Sequence, residues 1–151
     1  MTTPKISERV SLLGAVDWNR RLFDSLIPLP DGTSYNSYLV RGRDKTALVD
    51  TADPAKADTL MEQLADVDNI DYLVANHAEQ DHAGMIPKVL ARYPAAQLVT
   101  TPKGKGMIVD LLCVPEDRIR TVADGETISL GDRTLEFIHT PWVHWPETMC
   151  T

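Results

Sequence analysis

The sequence predicts a mixed α/β fold, and three observations carry that expectation. Short aliphatic and β-branched runs bounded by Gly, Pro and Asp occupy both ends of the chain. Between them, such runs alternate with segments whose apolar residues recur at helical spacing. At 151 residues the chain has the length of one domain, and a chain of that size buries roughly two-thirds of its unfolded surface. Strands first, then strand and helix in alternation, then strands again is an α/β order.

Val10 to Leu13 reads as the first strand. Asp31-Gly32 signals a turn before a strand from Tyr35 to Val40, and Gly42 to Lys45 turns the chain into a returning strand, Thr46 to Asp50. Asp53-Pro54 opens a helix, with an aspartate cap and a proline in the first turn. Leu60, Met61, Leu64 and Val67 are its apolar face. Tyr72 to Ala75 is a compact buried strand that runs directly into a histidine-bearing loop. From Ala83, the spacing of Met85, Val89, Leu90 and Tyr93 predicts a second helix ending near Pro94. A strand from Gln97 to Thr100 precedes a helix that starts at Pro102, with Met107, Ile108, Leu111 and Leu112 facing the core. Ile119 to Val122, Thr127 to Leu130 and Thr134 to Thr140 read as strands, the last two joined at Gly131-Asp132. There is no repeat and no low-complexity tract.

Hydrophobic residues at 43% and charged residues at 25% describe an ordinary globular chain. A net charge of −7 argues against nucleic acid or an anionic membrane as partner. No apolar stretch approaches the ~18 residues of a membrane span, and the N-terminus lacks the apolar core of a signal peptide. The two cysteines, Cys113 and Cys150, are too few and too far apart for a disulfide framework. Cys113, in Leu-Leu-Cys-Val, is expected to be a buried small hydrophobe. These features together read as a cytoplasmic protein.

The chemistry concentrates in His77-Ala-Glu79-Gln-Asp81-His82, with His144 returning much later. Imidazole and carboxylate together are ligands for Zn, Fe or Mn rather than for Ca or Mg alone. In an extended loop, residues two apart project to the same side, so His77, Glu79 and Asp81 can converge while His82 points elsewhere and serves a second metal. The alternative makes Asp81 the N-cap of the following helix, with Glu79 and His82 as solvated loop residues; Asp81 can also do both jobs, since a capping carboxylate keeps lone pairs for a metal. His144 lies in Pro141-Trp-Val-His-Trp-Pro146, a loop expected to be stiff and dry. His139 alternates with Leu135 and Phe137, which favours a core or supporting role over direct ligation. Asp50, at a strand terminus, either caps the next turn or orients a ligand histidine, and Asn76 is placed to hydrogen-bond within the loop.

At these residues the sequence resembles the flavodiiron proteins, which are built on the metallo-β-lactamase αββα sandwich. The resemblance runs through Gly14-Ala-Val-Asp17-Trp18-Asn19, Tyr35-Asn-Ser-Tyr38, Thr46-Ala-Leu-Val-Asp50-Thr51, Asn76-His77-Ala-Glu79-Gln-Asp81-His82-Ala-Gly84 and His144-Trp-Pro146. Zinc hydrolases of the same fold typically carry histidine where this chain has Glu79, and a carboxylate there adds negative charge and a harder ligand, favouring iron. The resemblance implies that His77, Glu79 and His144 bind one iron, while Asp81 and His82 bind or line the second. It implies two further ligands downstream, a bridging aspartate and a last histidine, and a flavodoxin-like domain carrying FMN. None of these is in this chain. The chain stops at Met149-Cys150-Thr151 in an apolar stretch, so residues 1–151 are expected to be the N-terminal portion of the domain, with an apolar sheet face left open. After His-Trp-Pro the family often has Asp-Ser-Met; here Glu147-Thr148-Met149 stands instead, a change expected to touch no ligand.

The activity so implied is reduction of dioxygen to water, of nitric oxide to nitrous oxide, or both, at a non-heme diiron centre. FMN would be its electron source, a rubredoxin-like or NADH-linked protein the donor, and a homodimer or larger assembly the working form, since head-to-tail dimers bring one subunit's flavin beside the other's irons. Trp145 is expected either to shape the pocket or to pack in the core. The alternatives are a zinc hydrolase of the same fold, acting through a metal-bound hydroxide, and an inactive or regulatory fragment.

Overall fold

The computed structural model describes residues 3–151. After the short β1 (Lys5–Ser7), β2 (Val10–Asp17) runs past the expected Leu13, because Leu13, Ala15 and Asp17 continue the inward alternation begun at Ser11. A small hairpin of β3 (Leu22–Phe23) and β4 (Ile27–Pro28) leads into β5 (Thr33–Arg41), which pairs antiparallel with β2 from Val10↔Val40 to Asp17↔Thr33. The turn into β6 (Thr46–Val49) passes so close to Leu130 that a Cβ on Gly42 would lie 2.1 Å from its carbonyl oxygen, which only glycine permits.

Asp53 accepts the Ala55 N–H at 2.8 Å and caps a 3₁₀ turn, Pro54–Lys56, from which α1 (Ala57–Gln63) continues. β7 (Tyr72–Val74) is buried on both faces, as expected of a strand inside a parallel sheet. The single helix expected from Ala83 is two: α2 (Gln80–Ala83) and α3 (Ile86–Arg92), separated at Gly84-Met85 with Pro87 in the first turn of α3. β8 (Gln97–Thr100), α4 (Pro102–Leu112), a 3₁₀ turn Glu116–Arg118 and β9 (Ile119–Thr121) complete the alternating section.

The main sheet has seven strands in the order β1-β2-β5-β6-β7-β8-β9. It is antiparallel from β1 to β6 and parallel from β6 to β9. Alternation along β6, β7 and β8 divides the core between its faces. Leu48, Leu73 and Leu98 face a helical layer through Leu60, Leu64, Ile86, Val89 and Ile108. Ala47, Val49, Val74 and Val99 face Ile128, Leu130, Leu135, Phe137 and Met149. Those residues belong to two hairpins, β10 (Thr127–Ser129) with β11 (Thr134–Glu136) and β12 (Ile138–His139) with β13 (Met149–Cys150). The layers are therefore helix, sheet and the strands of a second sheet; no second helical layer lies among the described residues. The hairpins cover the sheet at β6 to β8, while Leu12, Tyr38 and Val40 are half-buried and Val16 is exposed on β2 and β5.

Three further expectations of the fold need correction. The strand expected over Thr134 to Thr140 is broken at Phe137, whose N–H bonds to the Glu126 carbonyl, so its halves serve different hairpins. Leu111 is 58% exposed although it shares the helix face of Gly104 and Ile108, because it lines the open cavity beside Phe23 and Trp145 instead of packing on the sheet. Cys113 is exposed rather than buried: as the left-handed C-cap of α4 (φ 55°) it turns the chain so that Val114 enters the core instead. No helix among the described residues is long and apolar enough to cross a membrane.

Candidate metal centre

The parallel strands β6, β7 and β8 end along one edge of the sheet, the usual location of functional groups in α/β folds. Asp50 follows β6, Asn76 and His77 follow β7, and Thr101 follows β8. His77 is only 5% exposed. The chain stays extended through Glu79, which is the N-cap residue of α2 (φ −66°, ψ 149°) but makes no side-chain capping bond. Its carboxylate turns instead to two imidazoles: Oε2 lies 3.0 Å from His77 Nε2 and 3.3 Å from His144 Nε2.

Ligand atoms about 2.1 Å from a common ion sit about 3.0 Å apart at a right angle and about 3.4 Å apart at a tetrahedral one. The Glu79 separations match that spacing, and one donor atom each from His77, Glu79 and His144 lies within 4.8 Å of the others. Asp81 is not part of this trio, because the chain becomes helical at Gln80 and the two-residue alternation stops there. Nor is Asp81 the helix cap; it stands in the first turn.

Asp81 and His82 form a second group. His82 Nε2 is 3.7 Å from Asp81 Oδ2, and His82 Nδ1 is 3.5 Å from Asp50 Oδ2. The Asp50 contact, against the opposing effect of burial, raises the His82 pKa above its ordinary value, and the Asp81 and Glu79 charges add to the rise. Asp50 adopts a left-handed conformation (φ 57°) and accepts the Asn76 N–H at 2.8 Å and the Asn76 amide at 3.3 Å. It thus steadies both the loop and His82. α2 is held by Thr51, whose N–H and hydroxyl both donate to the His82 carbonyl, at 2.7 and 2.6 Å.

The two groups adjoin, with the His77 ring 5.3 Å from His82 and 5.0 Å from His144. Asp81 Oδ1 is buried without a hydrogen-bond partner. An orphaned carboxylate oxygen beside a cluster of imidazoles is what a bound cation would satisfy, so the donor set fits a metal.

The loop carrying His144 is braced by the Trp142 N–H to the Trp145 carbonyl at 2.8 Å and the Val143 N–H to the Thr140 carbonyl at 3.1 Å. It is not dry: the His144 side chain is 63% exposed, because Trp142 and Val143 point into solvent rather than over it. Trp145 stands at 90° to the His77 ring, 4.9 Å away, and lines an open cavity of about 380 Å³ with Arg20, Phe23, Glu79, Asp81 and Leu111. It therefore packs a ligand-type residue and shapes the pocket at once. A second cavity of about 380 Å³ opens beside Asp50, His77, His82, His144 and Cys150. His139 bonds to the Val122 carbonyl at 3.1 Å and receives no contact from the imidazole cluster.

Sequence reasoning missed Glu147. Far from standing clear of the candidate ligands, it accepts from the Ala78 N–H at 3.0 Å and meets His77 Nδ1 at 2.7 Å. Its longer side chain reaches back across the site because Thr101 ties its backbone, donating to the Glu147 carbonyl at 3.0 Å. The available signal was one acidic residue in the otherwise uncharged run from Pro141 to Thr151.

The family model described as ODP family beta lactamase matches residues 33–151. The chain belongs to that family. The type A flavoprotein fprA of Rhodobacter capsulatus is similar to it, 40% identical over 97% of this chain and 35% of the relative. The nitric oxide reductase of Moorella thermoacetica is 38% identical over 97% of this chain and 37% of its own length. Among solved structures, rubredoxin oxygen:oxidoreductase from Desulfovibrio gigas superposes with a TM-score of 0.91 at 36% identity, over 98% of this chain and 37% of that one. The chain thus spans little more than a third of the relatives it matches, and over that third it has the metallo-β-lactamase-like α/β fold of flavodiiron proteins.

Proposed function

We propose that this chain is the metal-binding portion of a flavodiiron oxidoreductase that reduces dioxygen to water, nitric oxide to nitrous oxide, or both. His77, Glu79 and His144 bind one iron, and Asp81 and His82 bind or line the second. The observation that carries this reading is Glu79 Oε2 between two imidazole nitrogens, at 3.0 and 3.3 Å. A carboxylate in that place adds charge and hardness to the ligand set, which suits iron in both oxidation states better than zinc. The names of the relatives, which include a nitric oxide reductase and a rubredoxin-oxygen oxidoreductase, support it.

The residues His77, Glu79, His144, Asp81 and His82 would hold two ferrous ions, which would supply electrons in pairs to a diatomic substrate. The chain's own residues prepare the place. Asp50 orients His82, Trp145 walls one side of the pocket, and the open cavity beside Glu79 and Asp81 admits a small substrate. A further aspartate, a last histidine and an FMN-bearing domain would complete such a site, in keeping with a chain that spans little more than a third of its relatives' length. A rubredoxin-like or NADH-linked protein is the electron donor, and a homodimer or larger assembly places a flavin beside each metal centre. Elemental analysis of protein purified without added metal tests the reading. About two irons per chain are expected; zinc in their place points to a hydrolase, and no tightly bound metal points to an inactive fragment.

A further inference from the structure

Glu147 is 2% exposed, yet its carboxylate is only half used. Oε1 takes the Ala78 N–H at 3.0 Å and faces His77 Nδ1 at 2.7 Å, while Oε2 is buried with no partner. A carboxylate so placed is held by what its one engaged oxygen does. An ionised carboxylate only accepts, so the 2.7 Å contact requires the proton on His77 Nδ1, and its length is that of a charge-assisted bond. Nε2 meets the Glu79 carboxylate at 3.0 Å, a contact a bound cation would take over, so a proton held on Nδ1 makes the Nε2 lone pair the one a metal would use. Trp145, edge-on to the ring at 4.9 Å, opposes its rotation.

We propose that Glu147 is a positioning residue: it fixes the tautomer and orientation of His77 and latches the His144 loop to the His77 loop. The idea rests on the metal-binding reading of His77. Glu147 follows His144 on the same loop, so one side chain ties together the two loops whose imidazoles meet at Glu79. A cation on Nε2 makes the Nδ1–H a stronger donor, so metal binding and the Glu147 contact reinforce each other.

The test compares wild type with Glu147→Gln, which keeps shape and an acceptor oxygen, and Glu147→Met, which keeps length alone. ¹⁵N NMR of the metal-free chain reads whether His77 Nδ1 carries a proton. Titration with Fe(II), and with Co(II) for its visible spectrum, reads affinity and geometry. The Nδ1–H form is expected in wild type and Glu147→Gln and is lost in Glu147→Met. Fe(II) binding is expected to weaken about tenfold in Glu147→Gln and towards a hundredfold in Glu147→Met, with an altered Co(II) spectrum. An unchanged tautomer in Glu147→Met, or wild-type affinity in both variants, overturns the proposal. Should Glu147→Met not fold, the affinity and Co(II) spectrum of Glu147→Gln decide. Wild type that binds no Fe(II) would sink the metal reading instead, while the tautomer measurement still decides the Glu147–His77 link.

Discussion

Replacing Thr101 by valine tests how the two histidine-bearing loops are tied to the sheet. Thr101 is 4% exposed, and its hydroxyl works in both directions. It accepts the Gly104 N–H at 3.0 Å as the N-cap of α4, and it donates to the Glu147 carbonyl at 3.0 Å. Valine keeps the shape and removes both bonds. Loss of the cap costs about 1 kcal/mol, and the buried carbonyl left unpaired costs about 1 kcal/mol more. The expected destabilisation is therefore about 2 kcal/mol, a fall in Tm of roughly 4–8 °C for a chain of this length. Thermal and urea unfolding followed by circular dichroism measure it. Serine, which retains the hydroxyl, should recover most of the difference. A valine variant melting within about 1 °C of wild type, or a serine variant melting as low as valine, would refute the reasoning. The first outcome would mean the bonds are replaced by water, the second that the lost methyl group accounts for the effect.

On the proposed diiron reading, Glu79→His exchanges a hard anionic ligand for a neutral imidazole and should shift the purified metal from iron towards zinc; unchanged iron content in elemental analysis would count against the charge argument. Tyr35 is raised to about 12, chiefly by burial and then by the nearby Asp53 and Asp17 carboxylates, so the unfolded chain, with a phenol near 10, loses its proton first. The stabilisation tied to that proton is whole below about pH 10 and lost as pH rises through about 12, so wild type should lose more Tm across that window than Tyr35→Phe. Phe137, fully buried between the hairpins and the sheet, should cost about 3–5 kcal/mol on replacement by alanine. A loss under about 1 kcal/mol in urea unfolding would mean the hairpins pack loosely on β6 to β8.

The layered α/β plan was legible because its signals are local. β7 reads as an apolar run, Asp53-Pro54 as a helix start, and Gly131-Asp132 as a hairpin turn. Errors fell where a neighbour in space decided the outcome. Cys113 looks buried in its own sequence but sits at a left-handed cap. Leu111 belongs to the apolar face of α4, yet that face ends over an open cavity beside Phe23 and Trp145. The His144 loop has the composition of a dry loop, but dryness depends on what covers it, and its tryptophans divide between the His77 ring and solvent. Glu147 was missed for the same reason, since nothing in its local sequence reveals that His77 lies 2.7 Å away.

The loop from His77 to His82 shows how a local rule succeeds and then stops. Alternation brings His77 and Glu79 to one side only while the backbone is extended, and it is extended through Glu79. At Gln80 the chain turns helical, and successive side chains then differ by about 100° rather than 180°. Asp81 and His82 are thereby carried off together, towards each other and towards Asp50. The vacated third place beside Glu79 is taken by His144 from a loop beyond β12. A helix begun two residues later would have left Asp81 with His77 and Glu79 and crowded three protein donors onto one side of a single loop. The position of the α2 start therefore divides four similar side chains into two groups, and it gives the distant His144 a place in the first.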